Sequence, residues 1–582
     1  MQQTIDTREI INVYYGTTSG NSSRLAFQFA DEAIQHKFIP KIFNLKEFNS
    51  DQFIQSRLNI FFVSTYGMGG PTSDAIDFNN WLQSKDRKQN ELQGVHFSVF
   101  ALGNTKHEHF CGMGVKTDAR LEELGATRIF KLGKGNSCDE TTDNDYSVWV
   151  ESGLFATLES LSPLISVPAN QVQSSIYRIK EFDNVDVIVG ETLSFQAQKY
   201  KESHSLKIIE IKELRKAPSL GNSTLYLSLE AQNIPYKAAQ NIAIYPENSE
   251  ENIQELCSML NLDLKFFFQI ETKGNHPFQT PISVYNYLKK YCDFLGPITK
   301  KQLYTLSLLV DDPKAKEELK FVSSHKGREQ YDTDYLQTRQ CFFNLVKKYN
   351  IKNIPLEQLI ELCPLISARY FTIASSPLKY PNKIEIIASE LLINKERLGL
   401  CSQFLRNVKV GQEIKCYLQD SAFQVPQNPQ APILLLGIGA GLAPMRAIIQ
   451  EKDEYIEQNK LDQSPFKGPM TLFFGCRTQN DYLFKEELEE YEKNGTLNQL
   501  KVAFSREGQQ IRITNFLDVE FVNQFLESNG VIYVCGSTQM GRDVQISIEN
   551  MFKQIRKVMP YLAYRKVNEL EEQKIIIKEL WG

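Results

Sequence analysis

The stretch GTTSGNSS (16–23) holds seven glycine or hydroxyl-bearing residues in eight. It follows an apolar run, IINVYY (10–15), and opens into a segment with helical spacing. Backbone N–H groups, hydroxyls and the positive end of a helix dipole would together hold a phosphate monoester there, without lysine or metal. The same composition also suits a serine-rich helix N-cap. A second loop, STYGMGGPTSDA (64–75), carries Tyr66, whose aromatic face can lie on a planar ring, and Gly67, which lets backbone approach the ring edge. A third, LGNTKHEHF (102–110), again bears aromatic residues after a strand-like run. Two wall-forming loops beside a phosphate cradle describe a pocket for flavin mononucleotide (FMN).

Further along, RYFTIAS (369–375) reads as a strand in which Arg369 offers a fork of donors for a pyrophosphate, Tyr370 and Phe371 a polar and an apolar face, and Thr372 a hydroxyl. Taken in isolation, the segment reads better as an alternating strand with one snorkelling arginine. GLCSQFL (399–405) gives a second anion-binding signal at a helix start. In PILLLGIGAGLAPMRAIIQE (432–451), Gly437, Gly439 and Gly441 clear side chains so that a dinucleotide pyrophosphate can approach a helix N-terminus. The spacing is G-x-G-x-G-x-x-P rather than the Rossmann G-x-G-x-x-G. Three more strand ends, FGCR (474–477), AFSRE (503–507) and YVCGS (533–537), converge on the same kind of site. Ser505 and Arg506 pair a hydroxyl with a guanidinium, as a 2′-phosphate requires, which favours NADPH over NADH unless they are a plain surface pair. Cys535 is either a reactive thiol at that site or a small buried one at a strand end.

Those loops need doubly wound sheets to position them, and the patterning supplies two. Residues 10–160 alternate apolar runs (10–15, 38–43, 58–63, 95–101, 127–131) with helical segments in which Leu25, Phe29 and Ala33 share a face. Residues 431–582 return to the same alternation. Between them, β-type runs at 200–245 and 365–426 flank a helix-rich block at 250–360, the order expected of a β-barrel with a helical insertion. The expected layout is a flavodoxin-like FMN-binding domain at 8–160, a linker at 161–199, a β-barrel at 200–430 with its helical insertion at about 250–360, and an NADP(H)-binding α/β domain at 431–582. With 582 residues, 42% hydrophobic and 23% charged, the chain reads as globular. A net charge of −5 gives no basic balance for nucleic acid. Ten cysteines without a C-x-x-C pair spell out neither a zinc site nor a disulfide framework, and fit a reducing compartment. No apolar run reaches the length of a membrane span, so a cytoplasmic protein is expected, with peripheral association to a membrane-bound acceptor compatible.

With these motifs in this order, the chain resembles the diflavin reductases, most closely their haem-protein-reducing branch. The loops TYGMGGPTSDA and LGNTKHEHF and the stretch MGVKTDARLEELGATRIFKLG carry the resemblance in the first domain. It implies that Thr17, Thr18, Ser19, Gly20, Asn21 and Ser22 hold the FMN phosphate and that Tyr66 stacks on the isoalloxazine. Ser64, Thr65 and Gly67, and then Leu102, Gly103, Asn104, His107 and Phe110, would form the walls. His107 stands where a second stacking tyrosine is usual, and NSCDE (136–140) replaces the family's acidic loop.

For the second flavin the resemblance implies Arg369 with Gly399, Leu400, Cys401 and Ser402 on the FAD pyrophosphate, Tyr370 and Phe371 beside the flavin, and Ile387, Ala388 and Ser389 lining it. It implies Gly439, Ala440, Ser505, Arg506 and Asp543 on NADPH, with Ile511 and Ile513 where lysine and tyrosine are usual and Arg512 between them as a substitute. Thr372, Cys535 and Glu579 would form a polar cluster at the hydride step, and Trp581 a gate over the FAD ring. The implied activity passes electrons from NADPH through FAD and FMN to a one-electron acceptor, a haem protein. The alternatives are an iron–sulfur assembly protein as acceptor, with a sulfite-reductase flavoprotein subunit a weaker option, or a degenerate relative that only binds partners.

Overall fold

The computed structural model describes residues 9–17, 20–36, 38–66, 69–105, 109–137, 142–162, 175, 177–182, 193–271, 276–324, 326–393 and 397–581. In the first unit, β1 (Ile10–Gly16), β2 (Ile39–Asn44), β3 (Leu58–Tyr66), β4 (His96–Gly103) and β5 (Gly133–Asn136) form a parallel sheet in the order β2–β1–β3–β4–β5. This is the flavodoxin-like order, whose ligands bind where the winding reverses beside β1. Helix α1 (Asn21–Gln35) buries Leu25, Phe29 and Ala33 completely, as their spacing requires. One expected strand differs. Of 127–131 only Thr127–Arg128 pairs, and the fifth strand proper is the glycine-bearing GKGN. Glycine is needed there because a Cβ on Gly133 would lie 2.3 Å from the Phe100 ring and 2.8 Å from Trp149.

The middle unit is a six-stranded antiparallel sheet of β6 (His204–Glu213), β7 (Thr224–Glu230), β8 (Asn241–Ile244), β9 (Arg369–Thr372), β10 (Lys383–Ser389) and β11 (Glu413–Gln419), ordered β9–β8–β11–β6–β7–β10. An antiparallel bridge from Ile373 to Ile386 joins its two edges, so the sheet closes into the expected barrel and leaves no open edge there. Between β8 and β9 the chain builds a helical insertion around Leu256, Phe268, Tyr287, Leu303, Phe342 and Leu359. Its helices begin at side-chain caps, among them Ser249, Ser283 and a Thr299–Gln302 capping box. Two elements fall within the stretch expected as a linker. Arg178–Glu181 pairs antiparallel with Phe267–Glu271, and Phe195–Glu202 is a helix capped by Ser194.

The last unit is a parallel sheet of β12 (Ile433–Ile438), β13 (Met470–Cys476), β14 (Gln499–Phe504), β15 (Val531–Ser537) and β16 (Ile576–Trp581), ordered β14–β13–β12–β15–β16. Register sets Gly437 beside Cys535 and Cys535 beside Glu579, so three strand ends form one row. Among the described residues no helix is long and apolar enough to cross a membrane.

Candidate functional site

In the first unit the ends of β1, β3, β4 and β5 lie side by side, with Gly16 next to Val63, Ser64 next to Leu102, and Gly103 next to Asn136. The phosphate-loop candidate is organised from within: the Gly20 amide donates to Thr17 Oγ1 (2.9 Å), and Ser23 Oγ donates to the Gly20 carbonyl (2.8 Å). Gly20 has φ +89°, with open space where a Cβ would stand. Ser22 is buried, its hydroxyl 2.6 Å from that of Ser64, which ties this loop to the one after β3. Asp74 escaped the sequence reading. Both its oxygens accept from the Thr17 amide at 3.0 Å, and it also takes Asn44 Nδ2 (3.2 Å) and the Thr72 hydroxyl.

The two wall loops are likewise laced together. Thr65 Oγ1 accepts from the Met113 amide (3.2 Å) at the start of α2 (Gly112–Glu123), and Lys116 Nζ donates to the Gly69 carbonyl (3.1 Å). Gly103 approaches Cys111 so closely that a Cβ would lie 2.5 Å from its amide nitrogen. Asn136 accepts from Thr105, and the Ser137 amide donates to Gly103. Tyr66 is 51% exposed at this edge, free to cover a ring. Asn21, Asn104 and Phe110 stand at the same edge, partly buried, whereas Leu102 is buried in the sheet core. Thr18, Ser19, Gly67, His107 and residues 138–140 lie outside the described residues.

On the barrel, Tyr370 and Thr372 alternate with Arg369 and Phe371 along β9. Tyr370 is half exposed, its hydroxyl 2.7 Å from that of Tyr417, while Phe371 and Cys401 pack against the barrel core. Gly399 caps helix α3 (Leu400–Asn407), and Ser402 Oγ accepts from the Leu391 amide (2.9 Å). Arg369 lies near enough to Cys401 to favour its thiolate, but burial dominates and pushes that thiol up to about 12. The structure thus brings Arg369 to the loop at Gly399–Ser402. Ile387 and Ala388 are instead buried in core clusters, and Ser389 turns out at the end of β10, with its hydroxyl 3.0 Å from that of Thr224.

A cleft of about 410 Å³ opens between the barrel and the carboxyl ends of the last sheet. Gly439, Ala440, Ser505, Asp543 and Trp581, all singled out in the sequence, line it together with Ser389, Ile511 and Ile513. Arg506 does not line it and is exposed, whereas Arg215, Arg477 and Arg512 do. Arg215, from the barrel, was not singled out by the sequence. It pairs with Asp481 at 2.6 Å and donates to Thr224 Oγ1 at 2.8 Å. Arg477 donates to Asn222 and is held below the usual arginine range, first by burial and then by the neighbouring Arg215 and Arg506. Guanidinium groups crowded around one aspartate leave positive charge for an anion to satisfy. Arg512 approaches Asp543 at 3.6 Å across the cleft mouth.

The glycine turn passes the corresponding test of fit. A Cβ on Gly441 would lie 2.1 Å from the Cys535 carbonyl and 3.0 Å from the Trp581 ring, so only bare backbone fits between strand end, helix α4 (Leu442–Glu457) and the terminal indole. Beside it the polar cluster assembles. Glu579 Oε2 accepts from Thr372 Oγ1 (3.5 Å) and Ser421 Oγ (3.1 Å), and Oε1 from Asn241 Nδ2 (2.5 Å). Burial raises the Glu579 pKa, and those three hydrogen bonds oppose the rise. Burial, reinforced by Glu579, keeps the Cys535 thiol far above its usual value and therefore protonated at neutral pH. Asn241 and Ser421 carry no motif signal of their own. Arg446 of α4, also missed, is buried between Glu385 (2.6 Å) and Glu487 (2.9 Å) and donates to the Ala374 carbonyl, clamping the barrel to the last sheet.

Three family profiles match the chain in succession: a flavodoxin profile over residues 13–149, an FAD binding domain over 197–404, and an oxidoreductase NAD-binding domain over 435–545. Among curated proteins, the NADPH–cytochrome P450 reductase of Oryctolagus cuniculus is 32% identical, over 98% of this chain and 88% of its own length. That of Bos taurus is 32% identical over 92% and 83%, and that of Salmo trutta 30% identical over 98% and 96%.

Proposed function

The chain belongs to the diflavin reductases, and from that membership we propose that it reduces a haem protein, with the joint between barrel and last sheet as its hydride site. It is an NADPH-dependent oxidoreductase whose cofactors are FMN, FAD and NADPH. When bound, these groups supply the redox chemistry, turning a two-electron hydride donor into a source of single electrons.

The protein's part is binding, orientation and proton control. Thr17, Gly20 and Ser22 hold the FMN phosphate on the dipole of α1, and Tyr66 covers the ring. Arg369 and the start of α3 hold the FAD pyrophosphate. Arg215 and Arg477 take the NADPH pyrophosphate across the cleft, while Ser505 and Arg512 read the 2′-phosphate at its far end. Trp581 stands over the Gly441 turn, where its indole would keep water from the reacting face and would yield to a bound nicotinamide. Thr372, the protonated Cys535 thiol and Glu579 line that face. Together they present hydroxyl and thiol donors and a carboxylate that holds or releases a proton.

The observation that carries this reading is the convergence of Thr372 from the barrel and Cys535, Glu579 and Trp581 from the last sheet on a single glycine turn. The haem acceptor is supported by the activity the relatives are named for and by the loop residues at 64–75 and 102–110. The test is steady-state reduction, by purified holoenzyme with NADPH, of a haem protein beside an iron–sulfur protein. Fast haem reduction with a slow iron–sulfur reaction is expected. The reverse order would transfer the chain to an iron–sulfur acceptor.

A further inference from the structure

We propose that Asn241 and Ser421 are positioning residues that fix the Glu579 carboxylate across the joint between barrel and last sheet, beside Thr372 and Cys535, and oppose its protonation. The inference rests on the reading of Thr372, Cys535 and Glu579 given above.

Three neutral donors reach this carboxylate, and all three come from the barrel, whereas the carboxylate itself comes from β16. Asn241 opens β8 in register between Thr372 on one neighbour and Gln419 on the other, so its side chain issues from the middle of the barrel mouth. Ser421 follows β11 by two residues. Its oxygen already accepts from the Phe423 amide at 3.0 Å, which turns its own proton toward Glu579. The contacts from Asn241 (2.5 Å) and Ser421 (3.1 Å) are shorter than that from Thr372 (3.5 Å). The first two therefore decide where the carboxylate sits, and the Thr372 contact follows from that placement.

Among the described residues no cation joins the cluster. The neighbouring Lys578 is directed instead to Glu571 and Gln545, and Arg446 is taken up by Glu385 and Glu487. Asp420, next to Ser421, pairs at 3.6 Å with Lys237 on the exposed rim. Among the described residues Cys535 is the one other titratable group facing Glu579, and its burial keeps it a neutral thiol. A buried carboxylate without a countercharge takes up a proton unless hydrogen bonds stabilise its ionised form. At this joint the stabilisation comes from an amide and a hydroxyl that take no part in the reaction.

The test follows anaerobic flavin bleaching by NADPH in stopped flow, across pH, in holoenzyme carrying Asn241→Ala, Ser421→Ala, Ser421→Thr or Glu579→Gln. Glu579→Gln should remove the acid limb of the profile. Each alanine variant should move that limb up by about one pH unit, the scale of one hydrogen bond to a charged group. Ser421→Thr, which keeps the hydroxyl, should leave it in place, and Asn241→Ala should shift nothing further in a Glu579→Gln background. As a readout independent of turnover, the infrared carboxylic-acid band that Glu579→Gln deletes should titrate at higher pH in the alanine variants. Removal of the limb by Glu579→Gln with no shift of limb or band in either alanine variant would overturn the inference. A wild-type profile in Glu579→Gln would instead overturn the hydride-site reading beneath it. Should Asn241→Ala fail to fold, Ser421→Ala against Ser421→Thr carries the same comparison.

Discussion

Single side chains divide the labour of the cleft between them. Arg512 is the clearest case, since Ile511 and Ile513 on either side offer no polar group and Arg512 already leans toward Asp543 at 3.6 Å. A 2′-phosphate competes with that carboxylate for the guanidinium, so Arg512→Ala should raise KM for NADPH by about tenfold and leave KM for NADH unchanged. Equal changes for both coenzymes would assign Arg512 a structural role only. Trp581 acts at the other end of the cleft. Its ring is 45% exposed and contacts the glycine turn, so Trp581→Ala should weaken selectivity for NADPH over NADH. Unchanged relative rates would count against an indole gate. Arg446 does no chemistry but carries the joint: Arg446→Met would leave Glu385 buried with only Lys383 as countercharge and the partly buried Glu487 without its cation, at a cost of about 3 kcal/mol. Differential scanning calorimetry should show the loss as a lower midpoint for the barrel and last sheet together. These residues also mark what the sequence could not reveal. Asn241 and Glu579 meet although they stand 338 positions apart, and an asparagine in a β-type run carries no sign of its partner.

Strands and turns, by contrast, were legible because each wrote its function into local spacing. The glycine turn at 437–441 follows a buried strand and precedes a helix, and the structure shows why its last residue, Gly441, tolerates no side chain. Gly441→Ala should push α4 away from the Cys535 carbonyl, and equilibrium dialysis should find NADP(H) binding weakened by at least tenfold while flavin content stays normal. Tight NADP(H) binding in that variant would mean the turn has slack that the contacts deny. The parallel and antiparallel blocks were readable by the same logic, since buried parallel strands give continuous apolar runs and barrel strands alternate. GKGN misled because its strand character comes from Phe100 and Trp149 packed over it, not from its own residues. The 161–199 stretch misled in the same way, since Arg178–Glu181 is a strand only because Phe267–Glu271 lies beside it.

At the scale of the whole molecule, the first unit meets the helical insertion through α1 and through Arg328, which donates to Ser147 Oγ at 2.8 Å. Glu47, just past β2, feels Lys199 of the helix leading into the barrel. Burial nonetheless lifts its pKa to about 7, and Lys199 only tempers the rise. A carboxyl raised in the folded state costs nothing while it is protonated in both states. Stability then falls as pH climbs from its unfolded value through about 7. The thermal midpoint of Glu47→Gln minus that of wild type should therefore increase between pH 4.5 and pH 8, about the span of the shift. A flat difference would mean that Glu47 is hydrated in solution. The central claim is that one polypeptide carries two flavins in separate pockets, both supplied with electrons from a single nicotinamide cleft. Anaerobic titration of purified holoenzyme with NADPH, followed by release and quantification of its flavins, tests it most directly. FMN and FAD in equal amounts, with visible absorbance bleached for both, is the expected result. A preparation with a single flavin, or one whose colour does not respond to NADPH, would contradict it.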